Sequence, residues 1–353
     1  MSFSTAFAVT SFSAQVKQSQ RIFMAQFLST KTVSAGIITI VLLFTILGFW
    51  WSFAPDTFDV RKNAHDMASA QGHQVVTGYT TTSTLIKVTE LMLGKNGGYL
   101  TNDVMPPGIF MDNIPAWEFG VLEMSRDLAL SMRKDFSRSQ SQSLENPQLV
   151  QAQPYYNNDN NRWILPSSES RYEKAVEQLY LYQAELGNIT NSNTQFYARA
   201  DNLRDWLKQV EKRLGSLSQK LSASVGSDVI NTELAGDSEA RQSTPQTPVL
   251  RNKTSWFKLD DNFYEARGAS WALLHFLKAV EIDFKDVLEK KNATVSLRQI
   301  IRELEATQET VFTPVILNGD GFGMLANHSL VMANYISRAN AALIELSELL
   351  NQG

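Results

Sequence analysis

The sequence predicts an all-α fold, with a single N-terminal transmembrane helix followed by a bundle of long amphipathic helices. Two observations support this prediction. Residues 33–53 are almost wholly apolar, and three later segments carry apolar residues at alternating spacings of three and four. Such spacing places side chains on one side of an α-helix, whereas a strand alternates at every second residue. Alternating strand patterns are nearly absent from this chain.

The transmembrane helix is predicted over residues 32–55, which contain no charged residue. A helix of about 21 residues rises about 31 Å, which matches the hydrocarbon core of a bilayer. Trp50 and Trp51 lie at one end of it, where amphipathic rings favour the membrane–water interface. Lys31 lies at the other end. The positive-inside rule therefore places residues 1–31 in the cytoplasm and the rest of the chain across the membrane.

A cleaved signal peptide is the alternative interpretation of this segment. Ser52-Phe53-Ala54 has the small-x-small pattern of a cleavage site. However, signal peptides have apolar cores of about 7–15 residues, which is shorter than this one. Bulky tryptophans precede the pattern, and Pro55 follows it. The sequence therefore favours an uncleaved anchor.

Composition excludes several classes of function. The 353 residues carry a net charge of −4 and no cysteine. A mildly acidic chain gives no electrostatic reason to bind nucleic acid, because phosphates require clustered lysines and arginines. The absence of cysteine rules out disulfides, thiolate metal sites and cysteine nucleophiles. No cofactor or metal is predicted, since the four histidines are scattered without the spacing of a zinc site.

The part that follows the anchor is divided by composition. Residues 57–225 are the first part of the helical domain, and residues 254–353 are the second. Between them, residues 226–253 are rich in Ser, Asp and Thr, with few apolar side chains to offset the entropy of ordering. They are predicted to be a flexible linker. The sequence leaves open whether the two parts form one bundle or two domains.

The clearest periodicity runs from Phe196 to Leu221. Its central positions are Leu203, Leu207, Val210 and Leu214, in a seam with a period of about 3.5 residues that requires a partner helix. Residues 263–287 and 332–350 carry similar seams and are the favoured partners within the same chain. A second copy of the chain is the alternative.

Local signals predict where helices begin and end. Residues 58–94 are predicted to be helical, with an interruption near Gly78. Asn113 is the predicted N-cap of a helix that reaches about Phe136. Residues 137–166 are polar and are predicted to be a long loop with at most short pieces of structure. Ser167 or Ser168 is predicted to cap the next helix, which ends at Gly187.

Several strings of residues distributed along the chain resemble one bacterial family. They are GYLTNDVMPPG (98–108), PAWEFGVL (115–122), FSRSQSQS (136–143), FYARADNLRDWL (196–207), RLGSLSQKLSASVG (213–226), YEARGASWALLH (264–275) and RQIIRELEATQ (298–308). The chain is similar in these strings to the uncharacterised proteobacterial inner-membrane proteins of the domain of unknown function DUF2333. This resemblance implies a Gram-negative source, an inner-membrane anchor and a periplasmic domain. It implies no activity and no catalytic residue.

The candidate binding residues lie at the start of the helix predicted after Asn113. Asp112, Asn113, Trp117 and Glu118 combine aromatic, amide and carboxylate groups, which are common in sites that bind sugars or partner proteins. Glu118, next to Trp117, could serve as a general acid with a raised pKa. The alternative interpretation is a first-turn glutamate that is favoured by the helix dipole. No catalytic residue is assigned, because the sequence shows no second carboxylate with a defined position.

Two functional hypotheses follow. The first is a membrane-anchored periplasmic structural or adaptor protein, whose partners are the lipid bilayer and other envelope proteins. The second is a peptidoglycan-binding or peptidoglycan-cleaving protein, which is suggested by the Tyr-, Trp-, Asn- and Asp-rich residues 97–117. The sequence favours the first hypothesis, since no enzymatic motif is present.

Overall fold

A computed structural model describes most of the chain. The described residues are 30–140, 142–188, 194–230, 249–313, 315–319 and 324–352. The chain separates into two units, Met1–Trp51 and Ser52–Gly353. The predicted N-terminal tail, residues 1–31, lies almost wholly outside the described residues.

Helix α1 (Thr30–Trp51) is the described part of the first unit. Its apolar side chains are exposed, and among the described residues it is the one helix long and apolar enough to cross a membrane. The hydroxyl groups of Thr39 and Thr45 donate to backbone carbonyls four residues earlier, at 2.9 and 2.8 Å. These bonds satisfy the polar groups without water, as a lipid environment requires. The helix ends at Trp51, before Pro55.

The second unit is built from helices, and this confirms the predicted all-α fold. The helices are α2 (Val60–Gln71), α3 (Tyr79–Gly94), α4 (Asn113–Ser131), α5 (Pro147–Tyr156), α6 (Ser168–Gly187), α7 (Ala200–Ser222), α8 (Leu259–Asp283), α9 (Lys285–Lys290), α10 (Thr294–Ala306) and α11 (His328–Asn351). The strands in the described residues are β1 (Ser227–Ile230) and β2 (Val249–Asn252), which pair antiparallel. They lie at the two ends of the predicted linker, and residues 231–248 between them lie outside the described residues.

Helices from both sides of residues 226–253 share one hydrophobic core. The largest contacts join α4 to α8 and α7 to α11. The seam residues Leu203, Leu207, Val210 and Leu214 are fully buried in this core. The partner helix that the seam requires is therefore supplied by α11 of the same chain.

Two glycines allow α4 and α8 to approach closely. A Cβ atom at Gly120 would lie 2.0 Å from the carbonyl oxygen of Glu265, and one at Gly268 would lie 2.0 Å from the carbonyl oxygen of Trp117. Both obstacles are backbone atoms, which cannot move aside as a flexible side chain could. The close contact between the two helices therefore depends on glycine at both positions.

Several predicted helix boundaries need correction. The N-cap of α4 is Asp112 rather than Asn113, because its carboxylate accepts the N–H of Asn113 at 2.9 Å. Residues 137–166 contain α5, a helix of 10 residues that the polar composition concealed. Its N-terminus is capped by Asn146. The predicted helix ends at Ser167 and Gly187 agree with the observed α6, as does the extension of α4 to Phe136 through a short π-helical turn.

Candidate functional site

Glu118 lies in the first turns of α4 and is completely buried. Its carboxylate forms an ion pair with Lys95, which follows α3 and has a side chain that is 2% exposed. The same carboxylate accepts the backbone N–H groups of Leu100 and Thr101, each at 2.8 Å, and the hydroxyl of Thr101. All the donors of this cluster come from one loop, so Glu118 fixes the course of that loop after α3.

Lys95, the cation of this pair, makes a second hydrogen bond. Lys95 Nζ also donates to the carbonyl oxygen of Gly98. Burial lowers the pKa of Lys95, and the charge of Glu118 opposes that change. A buried pair in which both groups are hydrogen-bonded to the loop stabilises one loop conformation, and neither group is exposed to a substrate.

The other predicted residues lie in different surroundings. Trp117 is fully buried and packs on Trp271, with 5.2 Å between ring centroids. Asp112 is exposed and Asn113 is partly buried. The four candidates are therefore neighbours in sequence, but they do not converge on an open cleft. Trp117 and Glu118 serve the core and the loop, and Asp112 serves the start of α4.

Metal chemistry receives no support from the described part of the chain. Within it, no group of three or more His, Asp or Glu side chains is placed to hold a metal ion. His275 illustrates the reason, because it is buried in the core and its ring nitrogens are both engaged. Phe58 N–H donates to its Nε2 at 3.0 Å, and its Nδ1 donates to the carbonyl oxygen of Trp271 at 2.7 Å.

This hydrogen-bond pattern requires neutral His275. Nε2 must accept from the backbone N–H of Phe58, so the single ring proton is on Nδ1. Burial lowers the pKa of His275 to about 4. The ring also stacks on Phe58 with 4.1 Å between centroids. His275 therefore attaches the segment before α2 to the middle of α8.

A charged groove lies beside this attachment, and sequence analysis did not predict it. The groove has a volume of about 820 Å³ and lies between residues 57–61, the C-terminal half of α8, α9 and α10. Among the described residues that line it, Phe58 has the only aromatic ring. Its cations are Arg61, Lys278, Lys285, Arg298 and Arg302.

Three of these cations pair with carboxylates of the groove itself. Lys278 pairs with Glu305 at 2.7 Å, Arg298 with Glu281 at 2.6 Å, and Lys285 with Glu289 at 3.8 Å.

Arg61 and Arg302, by contrast, have no carboxylate within 4 Å in the described part of the chain. The sequence does contain a signal for this groove, because Lys278, Glu281 and Lys285 recur at spacings of three and four and so share one side of the helices. Among the described residues, the groove consequently offers two cations outside any ion pair within 4 Å, on a surface of mixed charge that includes Asp59 near Arg61.

Comparison with known proteins identifies the family of this chain. Residues 24–353 match the family described as uncharacterized protein conserved in bacteria, DUF2333. The chain belongs to this family. The match to DUF2333 includes α1 as well as the helical unit, so the family comprises both parts. No curated protein and no solved structure matches the chain.

The pH dependence of stability should report on Asp283, at the end of α8. Its Oδ2 accepts the N–H and the hydroxyl of Thr81, both at 2.7 Å, while burial raises its pKa to about 6. The folded protein therefore binds this proton more tightly than the unfolded chain does. Stability from Asp283 is present below a pH of about 3.8 and is lost as the pH rises through about 6. The loss amounts to at most about 3 kcal/mol.

The measurement is the free energy of unfolding at about pH 4 and about pH 7, on either side of the shift. For each protein, the free energy of unfolding at about pH 7 is subtracted from that at about pH 4. This difference should be larger in the wild type than in Asp283→Asn, by up to about 3 kcal/mol. His275 acts in the opposite direction, but it is present in both proteins and cancels. Asp286→Asn is the matched control, because Asp286 is exposed. Equal differences in the wild type and Asp283→Asn would contradict the prediction.

Proposed function

We propose that the protein is a membrane-anchored structural or adaptor protein of the Gram-negative cell envelope. In this proposal α1 is an uncleaved anchor in the inner membrane, residues 1–31 are cytoplasmic and the helical unit is periplasmic. The cations before α1 and the absence of any Asp or Glu before Asp56 support that orientation. The family match supports an uncleaved anchor, because it begins at residue 24 and runs through α1.

The charged groove carries the adaptor proposal. It is large and open, and Arg61 and Arg302 contribute two cations that have no carboxylate within 4 Å among the described residues, although the charge of Arg61 also acts on Asp59. A partner that brings two carboxylates would complete these pairs and gain charge-assisted hydrogen bonds. The intervening pairs of opposite sign would reject a partner of the wrong register, because like charges brought together are destabilising.

A folded protein partner fits this surface better than a glycan. Sugars are commonly bound by exposed aromatic faces, but the ring of Phe58 stacks on His275 and belongs partly to the core. Trp117, which the sequence suggested for sugar binding, is fully buried. A protein surface with two acidic side chains meets the charges of the groove directly.

Peptidoglycan is the second candidate, for a role in binding rather than cleavage. The stem peptides of peptidoglycan end in carboxylates, which Arg61 and Arg302 could also accept. Cleavage would require an accessible general acid, and Glu118 is enclosed by Lys95 and the loop that follows it. The experiment that tests the adaptor proposal therefore also includes peptidoglycan.

The test is position-specific photo-crosslinking of the full chain in living cells. A photoreactive residue at Lys285, in the groove, should capture a discrete protein. The same residue at Val295, exposed on α10 but outside the groove lining, is the matched control position and should not. Arg61→Glu with Arg302→Glu should abolish capture, since both cations would then repel an acidic partner.

Charge reversal itself needs a control. Lys208→Glu with Lys212→Glu reverses two exposed cations of α7 that lie outside the groove. This variant should retain the capture, and the purified captured protein should bind the wild type but not the groove variant. Capture that is equal at Lys285 and Val295, or that survives reversal of both arginines, would refute the proposal. Retention of the wild type, but not of the groove variant, on purified peptidoglycan sacculi would favour the second candidate.

A further inference from the structure

Two neighbouring loops expose large apolar side chains, and neither the groove nor the core uses them. We call them the apolar loop surface. Phe110 is 80% exposed and Leu165 is 83% exposed. The members are Val104, Met105, Ile109 and Phe110 in the first loop, and Trp163, Ile164 and Leu165 in the second. Soluble domains rarely expose so many large apolar side chains together, and such patches mark sites of interaction.

The first loop holds its shape through its own backbone. Ile109 N–H donates to the carbonyl oxygen of Met105 at 3.1 Å, and Phe110 N–H donates to that of Pro107 at 3.0 Å. Asp103 packs so closely on Gly108 that a Cβ atom there would lie 2.0 Å from its carboxylate oxygen. The turn is therefore built to present its apolar side chains outward.

The second loop is closed at its base by Ser168, the first residue of α6. Its hydroxyl donates to the carbonyl oxygen of Asp159 at 2.6 Å, and its backbone N–H donates to that of Arg162 at 2.9 Å. These bonds tie the two ends of the loop together. Trp163 and the two residues after it consequently project beyond the closure.

The two loops are joined to each other. Asn102 Nδ2 donates to the carbonyl oxygen of Arg162 at 2.9 Å and to the carboxylate of Glu169 at 2.7 Å. Tyr99 donates through its hydroxyl to the carbonyl oxygen of Asn160 at 3.1 Å. Residues before the first apex thus hold both ends of the second loop. The seven apolar side chains belong to one structured end of the domain.

Helices α4 and α8 begin at this end together. Burial, and next the charge of Asp112, raise the pKa of Asp261 in the first turn of α8. Beyond the far ends of the same helices, Phe136 lies against Phe284 with 5.3 Å between ring centroids. The helices are thus parallel, and the first loop leads directly into α4.

We propose that the apolar loop surface inserts into the interfacial region of a lipid bilayer and gives the domain a membrane contact in addition to α1. The apices, residues 104–111 and 163–166, contain no charged residue. Trp and Phe are side chains that favour this interface. The flanking Asp103, Asp112 and Arg162 give no cluster of cations, so the contact depends on apolar burial rather than on anionic lipid.

A bilayer suits this surface better than a second copy of the chain does. The family match includes the apolar helix α1, and this inference rests on the proposed role of α1 as an anchor, which makes the bilayer an attached neighbour of the domain. Attachment gives a high effective concentration, which makes a small contact sufficient. A dimer between copies would need a much larger complementary surface, of about 1,200–2,000 Å² in total. This inference is independent of the partner of the charged groove.

The chain contains no cysteine, so single labels can be placed without other changes. The test uses the full chain in proteoliposomes of phosphatidylethanolamine and phosphatidylglycerol. Spin labels are attached at Phe110→Cys and Ile164→Cys, with Val295→Cys as the exposed control on helix α10. Relaxation by oxygen, which partitions into lipid, should exceed relaxation by a water-soluble nickel chelate at positions 110 and 164. The opposite order is expected at position 295.

Four further outcomes are informative. Water exposure at both loop positions, equal to that at position 295, overturns the proposal. Dipolar broadening between labels on different copies would show an interface between copies and would also overturn it. Leu165→Asp in the Ile164→Cys background should move the label into water while the helical circular dichroism is unchanged, because Leu165 contributes little to the core. Arg61→Glu with Arg302→Glu should leave every label signal unchanged. The experiment therefore tests the membrane contact of the apolar loop surface separately from the adaptor role of the charged groove.

Discussion

Replacement of Glu118 by Gln should lower the free energy of unfolding by about 3–5 kcal/mol. The variant keeps the shape of the side chain but removes the charge that compensates buried Lys95. It also turns an amide nitrogen towards donors of Leu100 or Thr101, which then lack an acceptor. Denaturant unfolding of the full chain in detergent micelles, followed by tryptophan fluorescence, measures the loss.

Glu123→Gln is the matched control, because it is the same substitution in the same helix. Glu123 is partly exposed and pairs with Arg126 and Arg213 at the surface, where such pairs contribute at most about 1 kcal/mol. Lys95→Met combined with Glu118→Gln should cost less than the sum of the two single changes, since no uncompensated charge remains. Equal losses in the two glutamine variants would show that Glu118 does not depend on its burial and its partners.

Replacement of Leu207 by Asp should cost more than about 4 kcal/mol, because it removes apolar contacts and buries an unpaired charge. Leu207 is completely buried in the seam between α7 and α11. The same denaturant measurement applies, together with the mass of the protein–detergent complex. Lys208→Asp is the control, since Lys208 is exposed on the same helix.

The mass distinguishes two origins of the seam. A large loss of stability in a protein that remains a monomer agrees with packing within one chain. If Leu207→Asp stays folded and merely changes from dimer to monomer, the seam would be an interface between copies. Helix α7 would then pack on a second copy of the chain, and its packing on α11 of the same chain would be contradicted.

The helices were predictable where capping residues and apolar periodicity agreed. Helix α6 is capped by Ser167 and ends at Gly187 as expected, and the seam of α7 is buried along its length. Helix α5 was missed because its polar composition outweighed two local signals that were present. Those signals are Asn146 as N-cap with Pro147 at the first helical position, and the three- and four-residue spacing of Leu149, Ala152 and Tyr156.

The surroundings of Glu118 could not be predicted in the same way. The sequence identified Trp117 and Glu118 as unusual neighbours, but their burial depends on contacts made by the tertiary fold. Lys95 is 23 residues away along the chain, and its partnership with Glu118 follows from the packing of α3 beside α4. The apolar loop surface could not be predicted either, because its two loops are brought together by tertiary contacts such as the hydrogen bond from Asn102 to Arg162, 60 residues along the chain.

The hydrogen bond from Phe58 to His275 has a mechanical consequence. Tension on the chain ahead of α2 acts on this bond and on the stacked rings before it reaches α2. His275 lies near the middle of α8, a long helix that is buried over much of its length, so the load enters the interior of the bundle rather than a frayed end. Helix α2 lies downstream of that point and is shielded while the attachment holds. Protonation of His275 would remove the acceptor for Phe58 N–H, and the same pull would then begin to peel α2 away.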